Sequence, residues 1–346
     1  MTKKTHAKIS DIAKKLKVSN VTVSKALRGH PDISTETARK IKKLAAEMGY
    51  VPNLMARNLS ARQSNTIGVV IPKIAHFFFS TVIEAIYDVA FENQYEIILT
   101  VSQENAEREA KHIQTLLSMR VDGIIVSVSQ QTVDTGIFET IINRGVPLTF
   151  MDRVMNIKGA NLVTADDRGG AFAATDQAIK VGYRRLAHVG GATLTNIGKQ
   201  RLAGFKDALK EHGLTIDPNY IISSGFGEDD GYRAFMKWYS AGNLPECIFA
   251  VNYPVALGIY SAAKELGLSI PKDFDIVVFG YSQLNKFLSP QMTYVDQPTT
   301  TLGRVAVELT LENIRNSKDF TPKQIQLPTK LVLEETCVGK GEKSKG

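Results

Sequence analysis

Residues 8–28 read KISDIAKKLKVSNVTVSKALR. Ile12, Ala13 and Leu16 recur at helical spacing, with Ser10 available as a cap. After a short turn, Ser19 offers an N-cap to a second helix in which Val23 and Leu27 form an i,i+4 apolar pair. Helix, turn, Ser-capped helix is the spacing of a helix-turn-helix, whose second helix enters the major groove of DNA. With Val23 and Leu27 turned inward, Asn20, Val21, Ser24, Lys25 and Arg28 share the outer face, flanked by Ser19 and Thr22. Asn pairs bidentately with adenine, Lys reaches guanine O6 and N7, and Val contacts a thymine methyl. Lys8, Lys14, Lys15 and Lys40 are better placed for phosphates, which add affinity without sequence information. Ser34 then caps TETARKIKKLAAEM, whose Ile41, Leu44, Ala45 and Met48 make one stripe that stops at Gly49. A three-helix unit that binds no DNA is the competing reading of this segment.

Charge favours the DNA reading. Residues 1–62 hold 14 Lys and Arg against four acids, a local charge of +10, whereas the whole 346-residue chain carries +7. The remainder is therefore at −3, and a basic head on a mildly acidic body suits a polyanionic partner for the head alone.

From Thr66 the texture becomes strands alternating with helices. Apolar, β-branched runs occur at 67–71, 96–101, 123–128 and 147–151, and again at 186–190, 220–224, 247–251 and 275–279. Amphipathic segments separate them, at 80–93, 105–119, 168–181, 199–212, 228–240 and 255–266. Two series of β–α units predict two parallel sheets, each wound with helices on both faces. A last helix near 300–315 and strands in KQIQLP and KLVLEE bring the chain back to them.

At this point the residues carry a resemblance. The stretch KISDIAKKLKVSNVTVSKAL (8–27), continuing through YVPNLMARNL (50–59) and SNTIGVVIP (64–72), resembles the lactose/galactose repressor (LacI/GalR) family of bacterial transcription regulators. RVDGII (120–125), DR (152–153), ADDR (165–168), GYRRL (182–186), RLAGFK (201–206) and QP (297–298) resemble the body of the same family, in the same order. The resemblance implies an α/β protein with a helix-turn-helix head (1–50), a hinge-helix linker (51–62) and a periplasmic-binding-protein-like body (63–346). The body divides into a first subdomain of about 66–163 and 293–320 and a second of about 164–292 and 321–338. It also implies a cytoplasmic homodimer that binds a near-palindromic operator and answers to a small-molecule effector.

In that scheme VPNLMARNLSAR (51–62) orders as a hinge helix on DNA, with Asn53, Arg57 and a Leu59 wedge at the minor groove and Ala56 allowing close approach. Phe79 would stack on an effector ring, Asp152 would accept hydroxyls, Arg201 would clamp an oxygen or carboxylate, and Phe226, Asn252 and Tyr253 would complete the wall. For each aromatic, ordinary core packing is the competing explanation.

Departures from the family pattern fall in both parts. Lys8 stands where a capping Thr is usual, so Ser10 would have to take over. Lys17 stands where Gly is usual in the turn, and a non-Gly residue in a left-handed conformation costs roughly 1 kcal/mol, so a rebuilt turn is expected. In the cleft, Asn252-Tyr253 replaces a common Asn-Asp, and Gly280-Tyr281 stands where another Asp is usual. Loss of two carboxylates that hold sugar hydroxyls points to more aromatic stacking or to an anionic group, a sugar acid or sugar phosphate, at Arg201.

Catalysis and cofactors have no foothold in the sequence. HExxH, GxSxG and GxGxxG do not occur, and GGATLTNIGKQ fails the phosphate-loop spacing at Thr193 and Gln200. The six histidines show no metal-ligand spacing. Two cysteines, Cys247 and Cys337, exclude a disulfide scaffold and suit a reducing compartment. No run approaches the ~18 apolar residues of a spanning helix.

Overall fold

The computed structural model describes residues 7–50, 63–75, 77–316 and 321–338. Two compact units result, Met1–Ser64 and Asn65–Gly346. In the first, α1 (Ile9–Leu16), α2 (Asn20–Leu27) and α3 (Thr35–Glu47) close over Ile12, Ala13, Val23, Ala26, Ile41 and Ala45. Ser19 and Ser34 cap α2 and α3 as expected, accepting from the backbone N–H groups of Thr22 and Thr37. At α1 the outcome differs. Ser10 does not replace the missing capping Thr; instead the Lys8 N–H donates to Asp11 Oδ2 at 2.9 Å, so an acid three residues into the helix meets the orphan donor. The turn is not rebuilt either: Lys17 takes φ +53°, the left-handed conformation that glycine adopts more cheaply.

The second unit carries two six-stranded sheets. The first sheet is formed by β1 (Thr66–Ile71), β2 (Glu96–Val101), β3 (Gly123–Val126), β4 (Leu148–Met151), β5 (Asn161–Ala165) and β11 (Gln324–Leu327), in the order β11-β5-β4-β3-β1-β2 and parallel throughout. The second holds β6 (Leu186–Gly190), β7 (Ile221–Ser223), β8 (Cys247–Ala250), β9 (Asp275–Phe279), β10 (Thr293–Asp296) and β12 (Lys330–Val332), in the order β12-β10-β9-β8-β6-β7. Only its edge strand β12 runs antiparallel, against β10. Helices α4 (Phe77–Glu92), α5 (Ala106–Ser118), α6 (Gly136–Asn143) and α11 (Thr299–Arg315) belong to the first sheet, and α7 (Asp167–Lys180), α8 (Asn196–Glu211), α9 (Glu228–Ser240) and α10 (Tyr253–Glu265) to the second.

Two strand assignments depart from the expected subdomain boundaries. Residues 293–296, placed by sequence with the first sheet, pair with β9 in the second through Thr293↔Val277. Residues 324–327, placed with the second, pair with β5 in the first through Gln324↔Leu162. Hydrophobic alternation marks a strand but carries no label for the sheet it joins, so the register partners decide. Among the described residues the chain thus passes between the sheets three times: after β5, after β10 and after β11.

Helices α9 and α10 approach so closely that glycines are required at the crossing. A Cβ on Gly258 would lie 1.9 Å from the Glu228 carbonyl oxygen, and one on Gly231 2.0 Å from that of Val255. Elsewhere in the second sheet, His188 is fully buried and stacks against both Phe205 and Phe249, with Nδ1 donating to the Phe249 carbonyl at 3.0 Å. Burial pushes its pKa down to about 4, so the core imidazole is neutral at neutral pH. Gly258→Ala is expected to destabilise the body by about 1–3 kcal/mol through overpacking, read as a lowered denaturant midpoint with unchanged slope.

Candidate functional site: a DNA-reading helix and an effector cleft

On the head, α2 presents Asn20, Val21 and Arg28 to solvent, with Val21 63% exposed, while Thr22, Ser24 and Lys25 are half-buried. Exposure of a valine at this level leaves its methyls open to contact. Ser19 and Thr22 are partly committed already: Ser19 Oγ accepts the Thr22 N–H at 3.0 Å and lies 2.9 Å from Thr22 Oγ1. They set the helix start as much as they offer hydroxyls. Lys25 Nζ lies 2.7 Å from Asp32 Oδ2, and His30 Nδ1 3.3 Å from the same oxygen. The Lys25 hydrogen bond, with His30 beside it, holds the Asp32 carboxyl below its ordinary range. Of the phosphate candidates, Lys8, Lys14 and Lys15 are exposed and Lys40 is tied to Glu36 at 2.8 Å. Asn53, Ala56, Arg57 and Leu59 lie outside the described residues.

The second unit contains a cavity of about 1100 Å³ at the carboxyl ends of the strands, where open α/β sheets hold ligands. All six sequence-selected wall residues, Phe79, Asp152, Arg201, Phe226, Asn252 and Tyr253, line it. Strand ends explain their convergence. Asp152 follows β4, Asn252 and Tyr253 follow β8, Phe226 follows β7, Phe79 opens α4 after β1, and Arg201 sits in the second turn of α8 after β6.

Their chemistry is less uniform. Arg201 is 3% exposed, and its guanidinium is already engaged. Nε donates to Asp167 Oδ1 at 2.8 Å, one terminal nitrogen lies 2.7 Å from that oxygen, the other donates to the Val251 carbonyl at 2.6 Å, and the plane sits 3.7 Å over the Phe279 ring. Asp167 therefore supplies the countercharge that a sugar acid or phosphate was expected to bring. Asn252 is committed as well: its Oδ1 caps α10 on the Val255 N–H, and its Nδ2 donates to the Phe226 carbonyl. Tyr253 is 6% exposed, packs in the core beneath α10 and donates to Asn285 Oδ1 at 3.3 Å, which makes it a wall more than a stacking platform. Phe79, at 2% exposed, stands edge-on to Phe78 within the first sheet's core.

Asp152 is the exception. It is 6% exposed, at φ +60°, and its carboxylate accepts no hydrogen bond from a described residue. Its own carbonyl accepts from Asn196 Nδ2, and the Val154 N–H donates back to Asn196 Oδ1, so two bonds from α8 fix the Asp152–Val154 loop. Burial raises the Asp152 pKa to about 6 against the pull of Arg153 and Arg201.

Sequence reasoning passed over Arg153, Glu104, Gln130 and Gln297. Arg153 is 3% exposed, donates from one terminal nitrogen to both oxygens of Glu104 at 2.9 and 2.8 Å, and lies 4.4 Å over the Phe226 ring. Its Nε, with Gln130 Oε1 and Gln297 Nε2, is buried at the cavity without a partner among the described residues. The DR and QP dipeptides contained Arg153 and Gln297, but Glu104 and Gln130 sit in loops with no local pattern.

Family models match two parts of the chain: bacterial regulatory proteins of the lacI family over residues 8–53, and a periplasmic binding protein-like domain over 175–337. The ribose operon repressor of Haemophilus influenzae is 30% identical over 332 residues, covering 96% of this chain and 97% of the relative. The chain belongs to the lacI family of bacterial regulatory proteins. The ribose operon repressor of Halalkalibacterium halodurans, 32% identical, covers 97% of this chain with 98% of its own length. Catabolite control protein A of Priestia megaterium is 30% identical over 95% of this chain and 98% of its own. A lac repressor dimer bound to operator and the anti-inducer ONPF shares the fold at a TM-score of 0.83 and 23% identity, over 96% of this chain and 99% of that one. As a member of the family the protein is a DNA-binding transcriptional regulator with a repressor architecture, its head supplying the helix-turn-helix and its body the effector domain. No helix among the described residues is long and apolar enough to cross a membrane.

A carboxyl whose pKa rises from 3.8 to about 6 on folding favours the fold when protonated, so that contribution is present below pH 3.8 and lost as pH climbs through 6. Asp152→Asn is expected to stabilise the unliganded protein at pH 7.5 by up to about 3 kcal/mol. Thermal melts at several pH values should show the advantage shrinking to nothing near pH 4.

Proposed function

We propose that this protein is a repressor that acts as a homodimer in the cytoplasm, reads a near-palindromic operator through α2, and is controlled by a neutral, polyhydroxylated effector in the body cleft. It works by binding alone, without a catalytic step or cofactor. The observation that carries the effector reading is the pairing pattern of the cleft. Arg201 is met by Asp167 and Arg153 by Glu104, while Asp152 is left as a desolvated acceptor. An anion would find both fork-shaped cations neutralised and an unpaired carboxylate beside them. A hydroxyl donor finds an acceptor waiting, with Gln130 and Gln297 to meet further polar groups. Relatives named for ribose operons at 30% and 32% identity support a monosaccharide, as does a LacI-family regulator of Enterococcus faecium solved with bound ribose, 25% identical with a TM-score of 0.69.

Asn20 and Val21 favour base reading because they are the least committed side chains on α2. The homodimer reading draws on Tyr87 and Phe91, one turn apart on α4, of which Phe91 is 82% exposed. Aromatic rings so open in a folded body suit a protein interface.

Variants on α2 and α1 separate base reading from phosphate contact. Asn20→Ala is expected to cost about 1–3 kcal/mol on the preferred operator and to relax specificity at one position per half-site. Lys14→Ala should weaken all duplexes alike and flatten the plot of log affinity against log salt by roughly one unit per contact. Calorimetric titration of the full chain checks the cleft: neutral pentoses and hexoses should bind more tightly than their uronic acids or phosphates. Because protonation removes the Asp152 charge and makes it a weaker acceptor of hydroxyl hydrogen bonds, that affinity should fall as pH drops below 6. Tighter binding of an anionic sugar would refute the neutral-effector assignment.

A further inference from the structure

The chain has two cysteines, 90 positions apart, and the fold brings both to one point. Cys247 opens β8 in the middle of the second sheet, and Cys337 lies five residues beyond β12; their Sγ atoms are 3.4 Å apart and both side chains are fully buried. We propose that Cys247 and Cys337 are a reversible disulfide site, which locks the segment after β12 onto the second sheet under oxidising conditions.

Backbone contacts hold both partners in place, so the meeting does not depend on a chance rotamer. The Cys337 N–H donates to Asp275 Oδ2 at 2.9 Å, and its carbonyl accepts from Gln177 Nε2 at 3.0 Å. Next to it the Thr336 hydroxyl accepts the Thr293 N–H at 2.8 Å, and the Thr293 hydroxyl bonds the Thr336 carbonyl. Cys247 is held in register on both sides, against Leu186 of β6 and Asp275 of β9. A disulfide bond of about 2.05 Å requires the sulfurs, 3.4 Å apart, to close by little more than 1 Å. Two small apolar side chains would fill the same space without that option.

The reaction balances with a peroxide as oxidant. Peroxide converts one thiol to a sulfenic acid and leaves one water; the second thiol attacks that sulfur, forming the S–S bond and releasing the second water. The peroxide gains two electrons and the two thiols lose them. Burial pushes the Cys247 thiol up, and the neighbouring thiol and burial push Cys337 up, so neither stands ready as a thiolate. Access is therefore gated by opening of residues 334–338, a short stretch that follows an exposed Leu333. The loop closed by the bond contains α10, α11 and two of the three passages between the sheets, so its loss of chain entropy in the unfolded state is large.

Full-length reduced protein exposed to hydrogen peroxide, then denatured and alkylated, provides the test. The expected product is a monomer lighter by two hydrogens with no alkylated thiol, restored by dithiothreitol, whose melting temperature exceeds that of the reduced protein by roughly 5–10 °C. Cys337→Ala, which leaves one thiol and removes no packing beyond a sulfur, should show neither the mass change nor the shift. Two alkylatable thiols after prolonged exposure, oxygen addition on a single cysteine, or a disulfide between chains would each overturn the proposal.

Discussion

Arg201 and Arg153 are buried on opposite walls of one cleft, and each is neutralised within its own subdomain: Arg201 by Asp167 at the start of α7, Arg153 by Glu104 in the loop after β2. A guanidinium taken out of water without such a partner costs several kcal/mol, so each pair offsets the burial of its own arginine. The pairing leaves one buried carboxylate over. Asp152 feels both arginines, yet hydrogen-bonds to neither, and desolvation keeps it close to protonation near neutrality. The fold thus holds a buried carboxyl that costs stability when ionised, a common arrangement where stability is traded for function.

Topology puts that group where it matters. Because the chain passes between the sheets after β5, β10 and β11, neither subdomain is a continuous segment, and the strand ends of both sheets face one cavity. The Asp152–Val154 loop of the first subdomain is held by Asn196 of the second, and Arg153 lies over Phe226 across the same gap. An effector that meets Asp152 therefore acts on the groups that join the two halves. By linkage, whatever the effector does to DNA affinity, DNA must do to effector affinity.

The features legible in the sequence were those with local periodicity or local chemistry. Ser19 and Ser34 announced their helices, and the alternation of β-branched runs with amphipathic segments announced two wound sheets. The wall residues Asp152, Arg201, Asn252 and Tyr253 were named through the family resemblance; Asp152, Asn252 and Tyr253 also stand just past a strand, whereas Arg201 lies a turn inside its helix with no local mark. What stayed hidden depended on partners far along the chain. Nothing near Arg201 in sequence shows that Asp167 cancels its charge, and nothing in TYVD or QIQL says which sheet it will extend. Glu104 and Gln130 gain meaning only once their loops meet. The α1 cap moved from the expected Ser10 to Asp11, since the carboxylate three residues in reaches the Lys8 N–H directly.

The central claim is that the head grips specific duplex DNA and the cleft governs that grip. Selection of duplexes from a random pool by the full-length protein, in excess genomic competitor and with or without a panel of neutral sugars, tests it most directly. The account predicts recovery of a near-palindromic sequence whose enrichment changes in the presence of at least one of the sugars. Equal recovery of all duplexes, with or without any sugar, would contradict it.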